Sequence, residues 1–68
     1  MFFKTKSGST YMVDPARRTL MGPGTRNEEV TLLDVISPAF VGGRFSATVL
    51  MDGVQKQITT SEVAWVHA

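Results

Sequence analysis

Arg44-Phe45-Ser46-Ala47-Thr48-Val49-Leu50-Met51-Asp52-Gly53-Val54-Gln55-Lys56-Gln57-Ile58-Thr59 alternates apolar and polar residues on both sides of an Asp-Gly pair. Strand side chains point to opposite faces in turn, and a type I′ turn needs positive φ at both central positions. Asp-Gly between two alternating runs is therefore a strong hairpin signal. With Asp52-Gly53 as the loop, Met51 lies opposite Val54, Val49 opposite Lys56 and Ala47 opposite Ile58. Phe45, Ala47, Val49, Met51, Val54 and Ile58 then share a core face. Ser46, Thr48, Gln55, Gln57 and Thr59 share a wet face, with Leu50 its apolar exception.

The same period recurs toward the N-terminus. Phe2 to Thr5 and Thr10 to Val13 are β-branched and aromatic runs around Ser7-Gly8, a second hairpin signal. Asp14-Pro15 ends that strand: proline cannot donate to a ladder, and aspartate accepts from the amides that follow. Arg17 and Arg18 occupy the turn, a short strand Thr19 to Met21 follows, and Gly22-Pro23-Gly24 stops it. The stretch through Glu29 is the longest irregular connection and is expected to be the most mobile.

Val30 to Ile36 admits two readings. Asn27 with Glu28 and Glu29 resembles a helix start, and Val30, Leu33 and Ile36 recur at helical spacing. The β-branched content, and a helix of barely two turns before Pro38, favour a strand. Toward the C-terminus, Thr60 to Val63 suits one turn of 3₁₀ helix, followed by a short strand Ala64-Trp65-Val66. The expectation is a single all-β domain over residues 1–68. It is a small SH3-like barrel or β-meander of five to seven short strands, with a 3₁₀ turn before the last.

Size and composition narrow the function. A chain of 68 residues has one modest core, and with no cysteine neither a disulfide nor a thiolate metal site supports it. With 43% apolar and 19% charged residues the chain is composed to fold. No apolar run approaches the ~20 residues of a membrane helix, and Met1-Phe2-Phe3-Lys4 is too short for a signal peptide. Cytoplasmic residence without membrane attachment is expected. The sole histidine, His67, is read as exposed and inert, and no Ser-His-Asp, Cys-His or phosphate-loop pattern is present. Neither catalysis nor a cofactor nor a metal is expected.

Charge is uneven beneath a net +1: residues 1–26 hold Lys4, Lys6, Arg17, Arg18 and Arg26 against Asp14 alone. The remainder holds Arg44 and Lys56 against Glu28, Glu29, Asp34, Asp52 and Glu62. Such asymmetry either orients the molecule toward an acidic partner or is a solvated rim.

The first hairpin is apolar on both faces. With Ser7-Gly8 as a two-residue loop, Phe3 opposes Met12 and Phe2 opposes Val13. One face then carries Phe2, Tyr11, Val13 and Leu20, and the other Met1, Phe3, Met12 and Met21. A domain this small has one core, so one face is left over, and exposed methionine and aromatic surface marks interfaces. Phe3, Met12 and Met21, rimmed by Lys4, Lys6, Arg17 and Arg18, form the candidate partner-binding surface, for a homodimer or another protein. Lys4 beside Tyr11 is the basic-aromatic pair a nucleic-acid-binding barrel would use, a weaker alternative at a pI near 8.2.

The run from Phe2 to Asp14, Phe-Phe-Lys-Thr-Lys-Ser-Gly-Ser-Thr-Tyr-Met-Val-Asp, resembles the start of a group of short proteins encoded by mycobacteriophages and other actinobacteriophages. In that group an arginine-containing turn follows, as Arg17 and Arg18 do here. Ile36-Ser37-Pro38 with Val41-Gly42, and Thr60-Ser61 with Val63, are similar to later segments of the group in the same order. Thr31 to Asp34 and the Asp52-Gly53 hairpin depart from it. The resemblance implies a phage product acting in the host cytoplasm by binding a host or phage protein, or alternatively a self-assembling capsid or tail component. No activity is attached to the group, so it transfers no site residue.

Overall fold

The computed structural model describes residues 1–68 as six antiparallel strands in one closed barrel, ordered β1 to β6 around the ring. They are β1 (Phe2–Thr5), β2 (Thr10–Asp14), β3 (Thr19–Met21), β4 (Val30–Ser37), β5 (Arg44–Met51) and β6 (Val54–His67). Each strand pairs with its sequence neighbour, and β6 pairs with β1 to close the ring. Closure leaves no free edge to template pairing with another chain.

The Asp52-Gly53 hairpin has the expected register, with φ of 53° at Asp52 and 75° at Gly53, as a type I′ turn requires. Phe45, Ala47, Val49, Met51 and Ile58 are buried as expected. Val54, expected with them, is exposed: β4 starts at Val30 and pairs no further along β5 than Leu50, so the hairpin tip projects past the strand that would cover it. Residues 30–37 form a strand, as their β-branched content favours.

β6 differs from expectation. Thr60 to Val63 belongs to a continuous strand of 14 residues, and the 3₁₀ turn lies instead at Pro23–Thr25, between β3 and β4. β6 serves two neighbours, pairing β5 through Glu62 and β1 from Val63 onward. Register shifts opposite Arg44/Ser46 and Lys4/Thr5 bend the ladder there, as bulges do where a sheet curls into a barrel.

The core is one cluster of twelve residues from all six strands, centred on Phe3. Its ring stacks on Tyr11 at a centroid distance of 5.2 Å and tilts against Phe45 at 4.9 Å. The Tyr11 hydroxyl accepts a hydrogen bond from the Gly24 N–H at 3.0 Å, tying the 22–29 connection to the barrel. Buried Thr25 adds a second tie: its Oγ1 accepts from the Gly22 N–H at 3.1 Å and lies 2.7 Å from the Glu28 carbonyl, to which it donates. A Cβ on Gly22 would stand 2.2 Å from the Tyr11 ring, so glycine is required there by close approach. No buried side-chain polar atom lacks a partner.

Candidate functional site

The first hairpin turns differently from the two-residue reading. Gly8 N–H donates to the Thr5 carbonyl, Thr5 N–H donates to the Ser9 carbonyl, and Gly8 has φ 94°. The loop is therefore Lys6-Ser7-Gly8, three residues with glycine in the left-handed position. Phe2 opposes Met12, Phe3 opposes Tyr11 and Lys4 opposes Thr10. A register moved by one residue exchanges the two faces of a strand. Phe3, expected on the working surface, is 0% exposed at the centre of the core, and Phe2 takes its place outside at 39%. The Lys4–Tyr11 pair is likewise absent, because Tyr11 points inward.

The second turn follows expectation. Asp14 pairs with Thr19, and its Oδ1 accepts from the Ala16 and Arg17 amides at 3.1 Å each. That aligns Met12 with Met21. On the other side of β1, Phe2 pairs with His67 and Lys4 with Trp65. One row thus crosses four strands on the outside of the barrel: His67, Phe2, Met12, Met21. The Phe2 and His67 rings lie 6.3 Å apart, so His67, exposed as expected, stands in the ladder as part of this row. Trp65, 43% exposed, and half-buried Lys4 stand in the next row. A cleft of about 300 Å³ opens beside them between Phe2, Met12, Met21, Gly22 and Asn27.

Of the expected surface residues, Met12, Met21 and Lys4 come together on this face. The other cations do not. Lys6 Nζ pairs with Glu62 at 2.7 Å and Arg17 Nη2 with Glu29 at 2.7 Å, while Arg18 sits in its turn at φ 54° and lines a separate cleft with Asp34. Arg26 Nη2 pairs with Asp52 at 2.6 Å. That hydrogen bond first, and the guanidinium charge second, hold the Asp52 carboxyl below its ordinary value of 3.8 and raise Arg26. Three of the five cations of residues 1–26 therefore meet acids of the remainder, so the asymmetry of the sequence is largely neutralised within the fold.

Sequence reading missed Phe2, Trp65 and His67. Alternation within the hairpin carried Phe2 once the loop length was known; the other two reach the face only through barrel closure. A second exposed apolar group, Ile36, Phe40 and Val41, lies at the end of β4 and in the connection after it, where the Phe40 ring covers Gly43. No three His, Cys, Asp or Glu side chains gather in metal-binding proximity, and no helix is long and apolar enough to cross a membrane.

Comparison of the chain with protein-family models, curated proteins and solved structures finds no match.

Proposed function

We propose that this chain is a non-catalytic binding module that holds a protein partner against the outer face of β6, β1, β2 and β3. The observation that carries the reading is the row Phe2, Met12, Met21 and His67 with Trp65: apolar surface crossing four strands outside a barrel whose core is already complete. Contiguous exposed apolar surface with methionine and aromatics is the composition of interface centres. The phage resemblance fits a host or phage protein as partner and a cytoplasmic place of action. SH3-like kinship belongs to the same proposal; the small closed antiparallel barrel supports it, and the place of the 3₁₀ turn speaks against it.

Nucleic acid is the second reading, favoured by three rings, Phe2, Trp65 and His67, around Lys4, the arrangement of a stacking platform. The pairing of Lys6, Arg17 and Arg26 with carboxylates weakens it, since phosphate contacts need free cations. The test is affinity capture from actinobacterial lysate with the wild type and with Phe2→Asp/Met12→Asp, after circular dichroism shows that both are folded. A protein retained by the wild type at ~0.5 M salt, and lost by the double variant, supports the module. Retention of nucleic acid alone, falling steeply with salt, overturns it.

A further inference from the structure

The chain has three aspartates, and each has a different successor: Asp14 precedes Pro15, Asp34 precedes Val35 and Asp52 precedes Gly53. An aspartate cyclises when the amide nitrogen of the next residue attacks its side-chain carboxyl carbon. Proline has no amide hydrogen to lose and β-branched valine crowds the attack, whereas glycine leaves it open. Gly53 is exposed between β5 and β6, and its amide donates no hydrogen bond. Nothing beyond its chain neighbours stands within 4 Å of where a Cβ would be. One contact opposes this exposure. Arg26, in the connection between β3 and β4, reaches the tip and donates from Nη2 to Asp52 Oδ2 at 2.6 Å. Its backbone is anchored in turn, the Arg26 N–H donating to the Pro23 carbonyl at 3.1 Å. Glu28 competes for the guanidinium only at 4.0 Å from Nε.

We propose that Asp52-Gly53 is a site of spontaneous backbone isomerisation, and that Arg26 guards it by gripping the carboxylate. The chemistry needs no enzyme, metal or oxidant. The Gly53 nitrogen gives its proton to solvent and bonds to Asp52 Cγ, the Cγ–O bond breaks, and the oxygen leaves as water to give a cyclic imide. Water then adds back at one of two carbonyls. Addition at Cγ restores aspartate; addition at the Asp52 backbone carbonyl leaves Gly53 joined through Cβ and Cγ, as isoaspartate. Only the protonated carboxyl readily loses its oxygen as water. The Arg26 hydrogen bond, and then its charge, hold Asp52 as carboxylate below its ordinary value of 3.8 and so away from the reactive form.

Isoaspartate puts an extra methylene group into the backbone of a two-residue turn whose positive φ at both positions sets the register of β5 and β6. Buried Met51 and its partner Val54 are the first pair it parts. The irregular connection between β3 and β4 thus protects, through one side chain, the hairpin on which the fold depends.

Ageing the full chain at mildly acid pH and low salt tests this, with the wild type, Arg26→Gln and Arg26→Lys each shown to be folded by circular dichroism. Tryptic cleavage after Arg44 and Lys56 releases residues 45–56, in which chromatography and isoaspartyl methyl transfer measure isoaspartate. Arg26→Gln is expected to accumulate it about threefold faster than the wild type, the scale on which an exposed ion pair shifts a population. Arg26→Lys recovers part of the protection, and ~0.5 M salt speeds the wild type while leaving Arg26→Gln unchanged. Unfolded in urea, every chain reacts at one rate, which shows that the guard belongs to the folded state. Equal rates for the folded wild type and folded Arg26→Gln overturn the guard. A folded Arg26→Gln chain that forms no isoaspartate, where the unfolded chain does, overturns the site.

Discussion

Alanine at Phe3 and alanine at Phe2 give opposite expectations for two adjacent, identical side chains. Phe3 is wholly buried between Tyr11 and Phe45, so its truncation loses the transfer free energy and leaves a cavity, about 3–5 kcal/mol in all. Phe2 is 39% exposed and leaves no enclosed void, so its truncation costs about 1 kcal/mol. A domain of 68 residues has a total stability of about 3–10 kcal/mol. Phe3→Ala therefore removes a large share of the native population. At ~1 kcal/mol/M, the urea midpoint drops by about 3–5 M for Phe3→Ala and by about 1 M for Phe2→Ala. Phe3→Leu, nearer in volume, should lose less than Phe3→Ala and provides a folded comparison. Far-UV circular dichroism with Trp65 fluorescence reads the transitions. Equal midpoints for the two alanine variants, or a lower one for Phe2→Ala, would refute the three-residue loop and the face assignment built on it.

Gly22→Ala drives a Cβ into the Tyr11 ring and is expected to cost about 1–3 kcal/mol in urea unfolding. Gly8→Ala meets no atom within 4 Å, and its cost of about 1–2 kcal/mol comes from φ 94° alone, so the two glycine losses have separable causes. Tyr11→Phe deprives the Gly24 amide of its acceptor, and hydrogen exchange across residues 22–28 should speed by about tenfold while β5 amides keep their protection. Asp52 is held below its ordinary carboxyl value, so it favours the folded state fully above about pH 4, and that contribution is lost as pH falls through the lowered value. A carboxylate NMR titration should place Asp52 below 3.8 in the wild type and return it to the ordinary range in Arg26→Gln, with salt shrinking the difference.

The two hairpins show where the sequence could and could not be read. Asp52-Gly53 admits one loop, because both residues tolerate positive φ and the alternation on either side agrees on the pairing. At Ser7-Gly8 a single glycine serves either a two-residue or a three-residue loop, and apolar residues on both faces leave the pattern indifferent between them. The three-residue loop satisfies Thr5, whose Oγ1 accepts from the Ser9 amide and bonds to Ser7, a local polar set invisible to hydrophobic periodicity. Thr60 to Val63 stayed extended because Thr60 Oγ1 accepts from the Phe45 amide and Val63 fills the core beside β1. Both contacts depend on residues far away in the chain. Trp65 and His67 were unreadable as part of the candidate face for the same reason, since only ring closure carries them beside Lys4 and Phe2.

The seam between β1 and β6 also fixes when the molecule can fold. Phe2 pairs with His67 and Thr5 with Val63, so the residues that complete the barrel are separated by nearly the whole chain. A chain made from its N-terminus has Phe3 early, yet the strand that covers it arrives last. The β5–β6 hairpin, formed locally, is the natural nucleus, and docking β1 onto it must overcome the largest loop-closure entropy in the molecule. Until residues 63–67 dock on β1, Phe3 and Tyr11 lack the strand that closes the core over them. Closure of the barrel therefore waits on β6, and a chain truncated before Val63 should be protease-sensitive in β1 and β2.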